Sequence, residues 1–143
     1  MGLILLDTNV LSEVMRKTPE PRVVEWLDCQ IGSNLWTTTI NVFEVRYGLG
    51  IIPHGKKQIA LKSAFDALVS VDLNNRVLCF DVDCVDRCSD ISLALRSTGR
   101  SVDLRDVMIG TIVANNRATL ATRNTRHFAD MDIDLVNPWT RNR

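Results

Sequence analysis

The chain has 143 residues, 45% hydrophobic content and no formal net charge, with 17 basic and 17 acidic side chains. This size predicts a single domain, residues 1–143, with an adequate core, and the balanced charge argues against nucleic-acid binding by bulk attraction alone. No apolar run approaches the ~20 residues that span a bilayer, and the basic and long apolar regions of a signal peptide are missing.

Hydrophobic periodicity predicts strands that alternate with helices along the chain. The predicted strands are Leu3–Leu6, Leu35–Thr37, Val77–Phe80, Thr119–Thr122 and Leu135–Val136. The predicted helices are Val10–Arg16, one from Pro21 through Leu27, one through Phe43 and Tyr47 to Gly48 or Gly50, Lys56–Val71, Val82–Leu95, and Asp103 to about Arg117. This alternation predicts an α/β fold with a mostly parallel sheet covered on both faces.

The first predicted strand ends at Asp7, which is followed by Thr8 and Asn9. In open α/β sheets, ligands bind at the carboxyl ends of the strands. A carboxylate buried there is costly unless a cation, a proton or a positive side chain compensates it. Asp7 is therefore either a metal ligand or the N-cap of the next helix, and this segment alone favours neither role.

Three further polar side chains are expected at the same edge of the sheet. Glu44 has capping-box spacing from Asn41, Asp106 lies three residues after Asp103, and Asn124 follows the fourth strand. Helix capping explains the acidic pairs at about 1 kcal/mol each. Their convergence above one sheet edge instead favours a shared site.

The two acids at the start of the sixth predicted helix are assigned different roles. Asp103 is expected to cap the helix, with its side chain bonded to the free amides of the first turn. Asp106 lies on the face that Gly110 shares, and we expect that face to point toward the sheet edge. The glycine would then leave space beside Asp106 for a hydrated cation.

Gathering carboxylates in one place has an electrostatic cost. Two of them 4 Å apart repel by about 4 kcal/mol at an effective dielectric constant of 20, so either their pKa values rise or a cation binds between them. The four cysteines include no CxxC pair and show no zinc-site spacing. Oxygen ligands alone favour Mg²⁺ or Mn²⁺, which activate water and stabilise displacement at phosphorus.

The basic residues have an uneven distribution. Every basic residue after Lys62 is an arginine, and arginine binds phosphate through its planar fork. Surface ion pairing is the simpler explanation of this bias. Eight arginines fall in the last third of the chain: Arg96, Arg100, Arg105, Arg117, Arg123, Arg126, Arg141 and Arg143. The unpaired pattern of cysteines predicts a reducing compartment, the cytoplasm.

Five motifs, in this order along essentially the whole chain, resemble the PIN-domain ribonucleases, above all the VapC and FitB-like toxins of bacterial toxin–antitoxin pairs. They are Leu5–Asn9, Glu44–Gly48, Asp106–Gly110, Ala121–Asn124 and Val136–Trp139. The resemblance implies a PIN-like three-layer α/β/α sandwich. It also implies an endoribonuclease that uses Mg²⁺ or Mn²⁺ to activate water against an RNA phosphodiester.

By motif position, Asp7, Glu44 and Asp106 match the first three acids of the family and would be both catalytic and metal-binding. Asn124 stands where many members have a fourth acid, which leaves a one-metal mechanism favoured. Asn9, with Thr8, would orient Asp7 by hydrogen bonding. The resemblance further implies a VapB-like antitoxin as inhibitor and a homodimer within that complex, without membrane association.

Other functions remain open at this point. A catalytically weak PIN-fold binding module would be marked by loss of Asp7, Glu44 or Asp106, and none is lost. A magnesium-dependent phosphatase of the haloacid-dehalogenase type needs an aspartate where Asn9 stands. A receiver-like domain needs a late lysine, and none follows Lys62.

Overall fold

A computed structural model describes residues 2–140 of the chain. Met1 and residues 141–143, which contain Arg141 and Arg143 and complete the predicted domain, lie outside the described residues. In the described part, no helix combines the length and the apolar character needed to cross a membrane.

The centre of the molecule is a sheet of five strands, and every pairing in it is parallel. The strands are β1 (Ile4–Leu6), β2 (Leu35–Thr38), β3 (Val77–Leu78), β4 (Thr119–Ala121) and β5 (Asp134–Val136). Their order across the sheet is β3-β2-β1-β4-β5, so β1 is central and lies between β2 and β4. The predicted parallel sheet is confirmed, and the three strands that carry or precede polar site residues are neighbours.

Seven helices surround the sheet in the described residues. They are α1 (Thr8–Val14), α2 (Pro21–Asp28), α3 (Thr39–Ile51), α4 (Lys56–Ala67), α5 (Val82–Ser97), α6 (Leu104–Asn115) and α7 (Thr125–Phe128). Hydrophobic periodicity missed α7 because one turn is too short to show a period. It also missed a 3₁₀ turn at Gly32–Asn34. The helix predicted over Lys56–Val71 is α-helical to Ala67 and continues as a π-helical turn at Leu68–Asp72.

The end of α3 differs from the prediction for a local reason. Gly48 and Gly50 lie inside this helix, which continues to Ile51. Ile52 then has extended backbone angles, with φ −77° and ψ 158°. Because a residue that precedes proline is disfavoured in the helical region, Pro53 ends the helix and the glycines do not.

The core has two parts, one on each face of the sheet. Successive strand residues point to opposite faces, so Leu5 packs with α5 and α6, and Leu6 packs with α1 and its neighbours. Ile109 and Ile112 of α6 are fully buried on the first side, and Phe65 of α4 is fully buried on the second. The three-layer α/β/α sandwich implied by the resemblance is confirmed.

Candidate active site

An open pocket of about 600 Å³ lies at the carboxyl edge of β1 and β4. All five predicted site residues line it: Asp7, Asn9, Glu44, Asp106 and Asn124. The other lining residues are Thr8, Ser12, Glu13, Arg16, Asp103, Arg105, Arg123, His127 and Trp139. The predicted convergence of these side chains at one edge of the sheet is therefore confirmed.

Asp7 has the capping role that its position predicted, and it also lies in the pocket where the metal ligand was predicted. It is the N-cap of α1, and its Oδ1 accepts a hydrogen bond of 2.9 Å from the backbone N–H of Thr8. The same oxygen accepts a 2.9 Å bond from Asn41 Nδ2, and Oδ2 accepts a 2.7 Å bond from the Thr122 hydroxyl. The side chain is buried and lies against the pocket. Three donors therefore hold this carboxylate in one orientation.

Asn41 differs from its predicted role as a helix cap. The helix begins at Thr39 and Thr38 is its N-cap, with the Asn41 N–H bonded to Thr38 Oγ1 at 3.2 Å. The Thr38 hydroxyl in turn donates to Asn41 Oδ1 at 2.6 Å. This reciprocal pair fixes the amide of Asn41 and aims its Nδ2 at Asp7 and at Thr8 Oγ1. Asn41 therefore positions Asp7, a role that sequence reasoning missed.

Glu44 lies one turn further along α3, with its side chain 18% exposed. The Thr8 hydroxyl donates a hydrogen bond to Glu44 Oε1, and the guanidinium of Arg105 lies 3.6 Å from Oε2. Thr8 was predicted to orient Asp7 by hydrogen bonding, and it does so through its backbone N–H, while its side chain bonds to Glu44 and Asn41. Thr8 therefore links the first two acids of the site.

Asp106 is the carboxyl group of the pocket whose pKa is raised. Burial raises its pKa, and the negative charges of Asp7, Asp103 and Glu44 raise it further. His127 opposes them, with Nδ1 3.2 Å from Asp106 Oδ2. The influence of three other carboxylates on one group is the electrostatic cost that the sequence predicted for a shared acidic site.

Asp103 caps α6 as predicted. Its Oδ1 accepts a 2.8 Å bond from the backbone N–H of Arg105, and the Arg105 guanidinium lies 3.3 Å from Oδ2. These bonds lower the pKa of Asp103. Arg105 therefore lies between Asp103 and Glu44 at the rim of the pocket. Asp103 and Asp106, the predicted cap and the predicted ligand, both line the pocket.

The prediction that Gly110 leaves space for a hydrated cation beside Asp106 is wrong. A Cβ at Gly110 would meet Met131 Sδ at 2.5 Å, so the glycine allows the close approach of a core methionine. Gly110 is buried in the part of the core that α6 shares with Met131, away from the pocket. Gly110 lies one turn further along the same face of α6 than Asp106, about 6 Å along the helix axis, and Met131 covers the face at that point.

Thr122 connects the remaining polar residues of the site. Besides donating to Asp7, its hydroxyl oxygen accepts bonds from Asn9 Nδ2 at 3.3 Å and from the Asn124 backbone N–H at 3.0 Å. Asn9 therefore acts on Asp7 through Thr122, whereas a direct bond was predicted. Asn124 is exposed and lines the pocket. Its backbone N–H, and not its side chain, is bonded to this network. The position of Thr122, directly after β4, is the signal that the sequence offered.

The donor set suits a hard cation. Asp7, Glu44 and Asp106 offer only oxygen atoms. Burial, and to a smaller extent the charges of the neighbouring carboxylates, raise the pKa of Asp106, and a bound cation would offset both effects. Among residues 2–140, no three His, Cys, Asp or Glu side chains are close enough to hold one metal ion together. Mg²⁺ usually keeps several waters and binds one or two carboxylates directly, so the acids fit a hydrated ion.

Comparison with known proteins identifies the family of this chain. The model of the PIN domain matches residues 4–134. The chain belongs to the PIN domain family. The five-stranded parallel sheet and the acidic pocket at its carboxyl edge are thus the PIN fold and its candidate site in this chain.

Three curated relatives match this chain over 137 residues each. The plasmid stability protein StbB of Pseudomonas syringae pv. tomato is 36% identical, covering 96% of this chain and 99% of StbB. The VapC ribonuclease Y4jK of Sinorhizobium fredii is 32% identical, covering 96% and 98%. The toxin FitB of Neisseria gonorrhoeae is 33% identical, covering 96% and 99%. A crystal structure of FitAcB from Neisseria gonorrhoeae superposes with a TM-score of 0.88 at 33% identity, covering 96% and 99%.

Proposed function

We propose that this protein, residues 1–143 as a single PIN-like domain, is a VapC- or FitB-type toxin of the cytoplasm that cleaves RNA with Mg²⁺ or Mn²⁺. The observation that carries the proposal is one pocket that gathers Asp7, Glu44 and Asp106 in a PIN domain. The 32% identity to a protein named VapC ribonuclease supports RNA as the substrate. The alternatives of a binding module and of a phosphatase-like domain lack such support.

The side chains of the pocket have separate tasks in this proposal. Asp7, Glu44 and Asp106 would hold the metal, which when bound supplies an activated water and charge stabilisation at phosphorus. Asn41 and Thr122 keep Asp7 fixed, and such fixed ligands avoid reorganisation during the reaction.

A second set of contacts sets the orientation of the other two acids. The Thr8 hydroxyl holds Glu44, and Arg105 offsets part of its charge. His127 contacts Asp106 and opposes the rise of its pKa, which favours the ionised form that binds a cation. These contacts orient Glu44 and Asp106 in the pocket.

The test is RNA cleavage by the purified protein with Mg²⁺ or Mn²⁺, and with a chelator in place of metal. Asp106→Asn is expected to abolish cleavage, since it removes a carboxylate from the pocket. Asp103→Ala is the matched control on the same helix: it should keep most of the activity and lower the free energy of unfolding by about 1 kcal/mol through loss of the N-cap. Intact RNA at every metal concentration, or an inactive Asp103→Ala beside an active Asp106→Asn, would contradict the proposal.

The toxin assignment requires an inhibitor, and we propose a VapB-like antitoxin with an amphipathic segment. Val10, Leu11 and Val23 of α1 and α2 are fully buried in the core of this chain and cannot contact a partner. What remains open is an apolar groove of about 380 Å³ between α1, α2 and α4. Its lining residues are Leu6, Val14, Met15, Leu27, Asp28, Leu35, Ala64, Leu68, Asp72 and Leu73. Such a groove suits the apolar face of a helix.

A charge placed in this groove should prevent the complex. Ala64 is exposed on α4 and lines the groove, so Ala64→Glu is expected to stop co-purification of the neighbouring gene product while RNA cleavage persists. Ala94→Glu, at an exposed alanine of α5 outside the groove, is the matched control and should co-purify normally. A partner that binds the Ala64→Glu protein as well as the wild type would place the interface elsewhere.

We also propose a homodimer within that complex. Phe43, Tyr47 and Ile51 form an exposed stripe along α3 at four-residue spacing, and the rings of Phe43 and Tyr47 stack 5.9 Å apart. A stripe of large apolar side chains on one helix face is typical of a contact between two copies of a chain. The mass of the co-purified complex reports this stoichiometry directly.

A further inference from the structure

The pocket has an excess of negative charge although its proposed substrate is an anion. Five carboxylates and three arginines line it: Asp7, Glu13, Glu44, Asp103, Asp106, Arg16, Arg105 and Arg123. An RNA strand would be repelled unless some cationic side chain is available to a phosphate. The question is therefore which arginine of the pocket still has free donors.

Two of the three arginines are engaged with carboxylates. Arg16 lies 2.9 Å from Glu13, and Arg105 lies 3.3 Å from Asp103 and 3.6 Å from Glu44. Within residues 2–140, the Arg123 side chain has no carboxylate within ion-pair distance and no hydrogen-bond acceptor. Arg123 is thus the arginine whose charge the described pocket leaves uncompensated.

Arg123 is nevertheless held in place. Its guanidinium carbon lies 5.1 Å from the ring centroid of Trp139, and its backbone N–H donates to Asn9 Oδ1 at 3.1 Å. Trp139 is itself 9% exposed. Its backbone N–H donates to Asn137 Oδ1, and its backbone carbonyl accepts from Arg22 Nη1, so its main chain is held in place. Stacking over a ring leaves the N–H donors at the edge of a guanidinium available to a phosphate.

We propose that Arg123 binds a phosphate of the RNA beside the acidic pocket, and that Trp139 is its positioning residue. The inference rests on the proposed function in taking RNA as the substrate. It adds the residue that brings the anionic backbone to a pocket of carboxylates. Arg123 is next to Asn124 in the sequence and shares the pocket with Asp7, so a phosphate bound there lies at the site of cleavage.

The test is binding of a fluorescent, single-stranded 2′-O-methyl RNA oligonucleotide to the protein in chelator, over a series of salt concentrations. This probe resists cleavage, so binding is measured apart from catalysis. Arg123→Ala should bind about ten-fold more weakly, as for loss of one charged hydrogen-bonding group. The slope of log affinity against log salt should shrink by about 0.7, the value for one phosphate contact on a single strand.

Three variants separate charge from position. Arg123→Lys should keep the salt slope with lower affinity, because the charge remains and the planar fork is lost. Trp139→Phe keeps a ring and should bind nearly as the wild type, whereas Trp139→Leu should bind more weakly with an unchanged slope. Arg46→Ala is the matched control: Arg46 also stacks on a ring, 5.2 Å from that of Phe65, but pairs with Asp66 at 3.1 Å outside the pocket.

Wild-type affinity and slope in Arg123→Ala would overturn the inference, as would an equal loss in Arg46→Ala or a wild-type protein that fails to bind the oligonucleotide. Cleavage of RNA by the wild type with metal tests the proposed function separately. A protein that cleaves RNA but binds equally after Arg123→Ala keeps the function and loses this inference. Loss of antitoxin binding alone in Arg123→Ala would assign the arginine to the partner and overturn it as well.

Discussion

Replacing Asp7 with asparagine is expected to abolish RNA cleavage and to lower the free energy of unfolding by about 1–3 kcal/mol. The first effect follows from loss of a carboxylate that would hold the metal. The second follows from its hydrogen bonds, since Asp7 is buried and all three of its partners are donors. Asparagine has the same size, but one of its two terminal atoms is itself a donor.

The new amide nitrogen has no suitable partner in this network. Facing Thr122, it would be a third donor to an oxygen that already accepts from Asn9 and Asn124, and the Thr122 hydroxyl hydrogen would lose its acceptor. The opposite orientation places it against the N–H donors of Thr8 and Asn41.

Urea unfolding and RNA cleavage measured on the same preparations check this prediction. Asp106→Asn is the comparison, because within residues 2–140 the Asp106 side chain has one hydrogen-bond partner, His127, and the variant should lose activity with little change in stability. An Asp7→Asn protein that cleaves RNA at the wild-type rate would rule out Asp7 as a ligand. Equal stability of the two variants would show that the three-donor network contributes little.

The fold was predictable because the strands are short apolar runs and the helices between them are long enough to show a period. Leu5 is fully buried and Leu6 nearly so. A strand covered on both faces has such consecutive apolar residues, so its sequence shows a continuous apolar run. The first residues of the helices were less predictable. Helices α1 and α3 begin at Thr8 and Thr39, and each start is fixed by a hydrogen bond from a capping side chain, which hydrophobic periodicity does not show.

The acids of the site were predictable from position along the chain, and the residues that orient them were not. Asp7 and Asp106 follow from where a strand ends and where a helix begins. Asn41 and Thr122 act across 34 and 115 positions of the sequence, and no local pattern shows such a contact. The surroundings of Gly110 were predicted wrongly because Met131, which packs against it, comes from a later loop of the chain.

Adding Mg²⁺ or Mn²⁺ is expected to stabilise the folded protein markedly. At a 100-fold excess over the dissociation constant the gain is about 2.7 kcal/mol, or roughly 9 °C in the melting temperature of a chain of this size. The gain arises because the unfolded chain lacks the assembled acids, whereas the folded pocket holds carboxylates that raise the pKa of Asp106 together with burial. Thermal unfolding with metal and with chelator measures it.

Two variants decide whether this gain belongs to the proposed site. Asp106→Asn should remove most of it, and its metal-free form should be as stable as the wild type or more so, since a repelled carboxylate is gone. Asp90→Asn is the control, because Asp90 lies in a second acidic pocket with Asp83, Asp86 and Asp130. Protons compete with metal for Asp106, whose pKa is raised, so the gain should shrink as the pH falls toward that pKa. A melting temperature that ignores both metals, or a gain that Asp90→Asn removes and Asp106→Asn keeps, would leave the three acids without a metal-binding role.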